Sequence, residues 1–145
     1  AEIIALVGII VSLIFVAFEI RQNTYVARST IIQMVTEQSI GALQLMVESN
    51  ELRDALHAVE DGSATRDQGR QAELFFALLI RGQQNRYMQA GLGIVSLDEI
   101  LNLGGRAPIY KSAAFTRWWR KSSQSYGAEF RRHVETRLIA DNAAP

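Results

Sequence analysis

The residues of this chain that could do chemistry are few and scattered. Its two histidines, His57 and His133, lie far apart; His57 has the acids Glu60 and Asp61 three and four positions on, and His133 has no metal-ligand type at either place. A paired carboxylate–histidine metal centre needs an acid three residues before each imidazole. Asp54-x-x-His57 supplies one such pair; Phe130-x-x-His133 does not supply the second. The chain has no cysteine, which excludes disulfides, thiolate catalysis and cysteine metal sites and suits a reducing compartment. Gly91-Leu92-Gly93 and Gly104-Gly105 lack the preceding strand and the lysine of phosphate loops, so they read as helix stops. No serine sits in a nucleophile-elbow context. The expectation is a protein with no catalytic residues, no metal and no cofactor, and not an enzyme.

Two polar constellations remain. Arg81, Asn85, Arg86 and Tyr87 follow directly on an apolar run. Arg81 and Asn85 are one helical turn apart on the Leu78 side. Buried polar groups need partners, so Arg81 is expected to pair with an acid elsewhere, Glu37 or Glu48. The group is either a structural polar network or a ligand site. The second constellation is Trp118-Trp119 flanked by Arg117, Arg120 and Lys121. Aromatic rings and cations are both favoured at lipid headgroup level, where each cation is worth about 1 kcal/mol near an anionic leaflet. The alternative puts the tryptophans in the core and leaves the cations solvated or acid-paired.

The element that must position all of this is the stretch 3–20. Between Ile3 and Phe18 nothing is charged, and Ser12 is the only polar side chain. As a helix, 18 residues cover about 27 Å, close to the hydrocarbon thickness of a bilayer. A core helix would keep a polar stripe. A cleaved signal would have a basic leading region and a small-residue cleavage site. A transmembrane helix is the expectation. The sequence opens at Ala1 with no initiator Met, so a few upstream residues are expected to have preceded it. Glu2 is the only charge before the span, while Arg21 and Arg28 follow it, so the N-terminus should face outward and the remainder the cytoplasm. At 100° per residue Ala5, Gly8, Ser12 and Glu19 share one stripe, within about 60° of each other. Gly8-x-x-x-Ser12 is a small-xxx-small pair that admits another helix backbone. The stripe is either a helix–helix interface or chance small residues with a carboxylate reaching headgroup water.

The 145 residues suffice for one span and one small helical body. The net charge is zero, but residues 37–73 carry eight acids against three bases, and residues 106–137 carry eight bases against two acids. The domain is therefore dipolar. It is not basic as a whole, so nucleic acid is not an expected partner. Only two prolines occur, Pro108 and Pro145, and an all-α fold follows. Residues 1–20 form the span, 21–48 a stalk helix continuous with it, 49–140 a cytoplasmic helical domain, and 141–145 a frayed tail. Within the domain a short helix follows the Ser49-Asn50 cap. A long central helix opens at the Thr65-x-x-Gln68 capping box and runs to about Ala90. Leu74 to Ile80 is apolar all round, which predicts burial on several sides, with Leu74, Leu78 and Met88 on one face. A short helix opens at Ser96-x-x-Glu99, another runs over 107–121, and a last one over 126–140 turns Phe130, Val134 and Leu138 inward.

Taken together, the residues 19–24 (Glu-Ile-Arg-Gln-Asn-Thr), Arg81…Asn85-x-Tyr87…Gly91, Trp118-Trp119 and Glu129-Phe130-Arg131-x-x-Val134-Glu135 resemble a group of small bacterial single-pass inner-membrane proteins of uncharacterised function. The resemblance covers nearly the whole chain. It implies a helical domain tethered on the cytoplasmic side of the inner membrane and implies no reaction. The expected partners are the lipid bilayer and either copies of the chain or other subunits of a membrane complex, respiratory, photosynthetic or transport. The expected role is a non-enzymatic interaction or scaffold protein. The alternative is a membrane-tethered sensor that binds a small ligand near Arg81, Asn85, Arg86 and Tyr87.

Overall fold

The computed structural model describes residues 2–103 and 107–140, with side chains from residue 6 onward. The expected stop at Gly104-Gly105, the expected tail at 141–145 and the side chain of Ala5 lie outside the described residues. Those residues are 88% helical and contain no strand. Helix α1 (Glu2–Glu48) is one unbroken rod. At 1.5 Å per residue it is about 70 Å long. No proline interrupts it, and five of its hydroxyl groups bond within the helix. Ser12, Thr24, Thr30, Thr36 and Ser39 each donate to the carbonyl one turn back, at 2.9–3.0 Å.

Every described side chain from Leu6 to Val26 is exposed. Beyond them Ala27 is half-buried, and Arg28 Nη2 lies 2.7 Å from Glu99 Oε1. Ile31 and Val35 are then buried against Val95 and Ile100, each burial worth about 2 kcal/mol. The joint after α1 is held by Arg53. Its Nη1 donates to the Met46 and Val47 carbonyls at 2.8 and 2.6 Å, while Nη2 bonds Asn50. The last turn of α1 has no basic residue of its own, so this tertiary cation answers its exposed carbonyls.

Ser49 caps α2 (Asn50–Asp61), accepting from the Leu52 amide; Gly62 ends it in the left-handed conformation that a residue with a Cβ would resist. The Thr65–Gln68 capping box opens α3 (Arg66–Gly91) with both of its hydrogen bonds present. Helix α2 packs chiefly along α3. The core gathers Ala72, Phe76 and Ile80 of α3 with Tyr110, Phe115, Trp119, Phe130, Val134 and Leu138. Ser96 caps the short α4 (Leu97–Asn102).

Three expectations need correction. Helix α3 is buried on one side only: Ala72, Phe75, Phe76 and Ile80 face the core, whereas Leu74 and Met88 are 65% and 64% exposed and Leu78 is also exposed. The stalk covers too little of α3 to bury a second face. The helix expected over 107–121 is two pieces, a 3-10 turn Pro108–Lys111 and α5 (Ala113–Ser122). Ser112 breaks it by taking an extended backbone and capping the Phe115 amide at 3.0 Å, and Glu60 from α2 accepts from the Ala113 and Ala114 amides at 3.0 and 2.8 Å. The last helix starts later than expected. After a 3-10 turn Ser123–Ser125, α6 (Ala128–His133) follows Gly127 as its N-cap and widens into a π-helical segment Val134–Ile139. Phe130, Val134 and Leu138 are buried along it.

Candidate functional site

The polar group following the apolar run of α3 divides by helical phase. At 100° per residue, Arg86 and Gln83 fall inside the arc of roughly 140° that runs from Phe75 to Ile80, and Arg81 falls opposite it. The structure follows that phase. Arg81 is exposed and makes no ion pair among the described residues, so the expected Glu37 or Glu48 partner is not there. Asn85 is half-buried, its Nδ2 3.7 Å from the Met34 sulfur. Tyr87 is half-buried beneath the last helix, with ring centroids 5.6 Å from Phe130 and 5.0 Å from His133. Arg86 is the buried cation, 5% exposed.

Arg86 reaches back across the α1–α3 contact. Its Nη2 donates to Ser39 Oγ at 2.6 Å, and that hydroxyl faces the Val35 and Leu103 carbonyls at 2.9 and 3.2 Å. Behind it, Gln83 Nε2 donates to the Tyr110 hydroxyl at 3.0 Å. Burial pulls the Arg86 guanidinium below its ordinary pKa, and the nearby Tyr110 oxygen partly offsets this. Burial likewise pushes the Tyr110 phenol up, offset by the Gln83 bond and the Arg86 charge. Arg86 Nε is buried with no hydrogen-bond partner among the described residues; Trp119 Nε1 and His133 Nε2 are in the same position.

Two cavities share Ala42, Leu79 and Arg86 as a common wall. One, about 420 Å³, is walled by Leu43, Met46, Phe75, Leu101 and Tyr110. The other, about 480 Å³, opens between α1 and α3 and takes in Gly41, Leu45, Leu78, Arg81 and Asn85. Arg81, Asn85 and Arg86 therefore do converge on one cavity, while Tyr87 points away from it into the aromatic core. Ser39, Gln83 and Tyr110 complete the polar group and were not expected from sequence. Gln83 was findable from the same helical phase that selects Arg86; Ser39 and Tyr110 come from distant segments.

The other sequence-selected residues sit as follows. Gly8, Ser12 and Glu19 are exposed along α1, and a Cβ added at Gly8 would meet nothing within 4 Å. Trp119 is 2% exposed and stacks among Phe115, Tyr126 and Phe130, so it is a core residue and not a surface anchor. Trp118 is half-buried against Phe76 and Phe115. Arg117 spends its Nη2 on the Val59 carbonyl at 2.6 Å, and Arg120 and Lys121 are exposed. Lys121 and Arg117 border a cavity of about 430 Å³ with Glu60, Asp61 and Glu73, where the acidic and basic halves of the chain meet. Among the described residues no group of three His, Asp or Glu is placed to hold a metal ion.

One helix among the described residues is long and apolar enough to cross a membrane, and its most apolar window is 0% buried. Comparison of the chain with protein families, with curated proteins and with solved structures gives no match.

Proposed function

We propose that this chain is a membrane-anchored interaction protein without catalytic activity. The single observation behind the reading is the leading half of α1: apolar, long enough for a bilayer and exposed in its own fold. Such a surface in water would expose far more contiguous apolar area than soluble monomers carry. Its own body does not cover it, so lipid is the natural solvent. The charges of Arg21 and Arg28 after the span support a cytoplasmic body, and the resemblance noted above supports the bacterial inner membrane. The span then packs through Gly8 and Ser12, with Glu19 at the inner edge, against a second copy or another membrane subunit. The Ser12 hydroxyl donates to the Gly8 carbonyl at 2.9 Å, so it brings no unsatisfied donor into that contact.

The test is the mass of the full chain in mild detergent by native mass spectrometry, with crosslinking in membranes. An oligomer or a defined co-purifying subunit is expected. Gly8→Leu should lower the associated fraction several-fold while leaving the body's helicity unchanged. A monomer in native membranes, or association indifferent to Gly8→Leu, would remove the reading or its interface.

A further inference from the structure

Beyond its association in the membrane, we infer that the chain binds a small anionic amphiphile, a monocarboxylate with a short apolar tail, in the 420 Å³ cavity beside Arg86. Three observations converge there. Arg86 is a cation with 95% of its surface removed from water, and its side-chain hydrogen bonds go to two neutral hydroxyls, those of Ser39 and Tyr110. No carboxylate among the described residues forms an ion pair with it. Buried charges in folded proteins are paired, because an isolated one is costly. Arg86 Nε is moreover a buried donor with nothing to donate to.

The second observation is the wall. Leu43, Met46, Phe75, Leu79 and Leu101 line the cavity that Arg86 also lines, with aliphatic and aromatic carbon. A bare inorganic anion would leave that surface in contact with water, whereas a chain of a few methylenes would fill it. The third is size: about 420 Å³ lies within the range of small-molecule sites. The chemistry is then complementary at both ends. A carboxylate takes the unpaired guanidinium edge through charge-assisted hydrogen bonds, with the Tyr110 hydroxyl on the same wall, and the tail displaces water from the apolar lining. An alcohol of equal length keeps the tail and loses the charge. An alkylammonium places like charge against Arg86.

The full chain in phosphatidylcholine nanodiscs is titrated with sodium octanoate, 1-octanol and octylammonium chloride by calorimetry, with empty nanodiscs as blank, and its thermal unfolding is followed in parallel. Octanoate should bind saturably and raise Tm by several degrees, since a ligand of the folded state stabilises it. Octanol should bind at least tenfold more weakly, and octylammonium should give only the blank heat. Arg86→Met should remove the preference for octanoate over octanol. Because a buried arginine can also matter for folding, Ala42→Phe is the second variant: it fills the shared wall, keeps Arg86 and should abolish binding of both tails. Octanoate heats equal to the blank, octanol binding as tightly as octanoate, or an Ala42→Phe protein that still binds octanoate would each overturn the proposal. A peptide with a free apolar C-terminus that binds more tightly than octanoate would overturn it in favour of a protein partner. Association through Gly8 is read separately by native mass, so failure of one leaves the other standing.

Discussion

His133 shows how a single buried side chain couples this fold to pH. It is 6% exposed, rests against the Tyr87 and Phe130 rings, and has no hydrogen-bond partner for Nε2 among the described residues. Burial holds its pKa below the ordinary value, and the Arg137 charge, itself 2.7 Å from Asp98, pushes the same way. The folded protein therefore favours neutral imidazole. As pH falls below about 6.5 the unfolded chain takes up the proton first, so stability is full above that point and declines below it toward the lower folded value. Chemical denaturation at pH 7 and pH 5 should show a drop that shrinks in His133→Gln; an equal drop in both proteins would assign it to other groups. Arg86 carries the lesson about reading single residues from sequence. Burial of a cation is a matter of helical phase, and the phase of Phe75, Phe76 and Ile80 selects Arg86 over Arg81. The expectation attached to Arg81 came from treating Leu74 and Leu78 as a second buried face, which they are not.

Among the elements, caps were the most legible feature. Ser49, Thr65 with Gln68, and Ser96 all bond where their spacing predicts, because a cap is a contact between residues three apart. The break at Ser112 was not legible, since half of its cause is Glu60, which lies 53 residues before Ala113. The π-helical stretch after His133 has no sequence signal either; it satisfies burial of Val134 and Leu138 by adding a wider turn. The one-sidedness of α3 makes a direct contrast. Phe76→Ala should cost about 3–5 kcal/mol, the range for removing a buried aromatic ring. Leu74→Ala should change stability by less than about 0.5 kcal/mol. Urea unfolding of the two variants separates them, and equal costs would mean that Leu74 is covered by something this chain does not provide.

At the scale of the molecule, the all-helical class and the long leading helix were plain from two prolines and an uninterrupted apolar run. The placement of the body on the stalk was not, because Ile31, Val35 and Ser39 are spaced like many other apolar and polar positions in α1. The described side chains of α1 from Leu6 to Val26 are exposed, and the body packs on α1 beyond them. A chain lacking residues 1–21 should thus keep its helicity and unfold within a few degrees of the full-length protein, by circular dichroism. A large loss of Tm would show that the leading segment supports the body after all.

The unbroken rod also fixes an angular relation. With neither hinge nor proline between residue 20 and residue 28, the stripe of Gly8, Ser12 and Glu19 and the bulk of the molecule are geared together like lobes on a camshaft. One extra residue in that interval would turn the bulk by about 100° against the stripe, and seven would restore its heading to within about 20°. Azimuth, and not reach alone, is what this shaft carries from one end to the other.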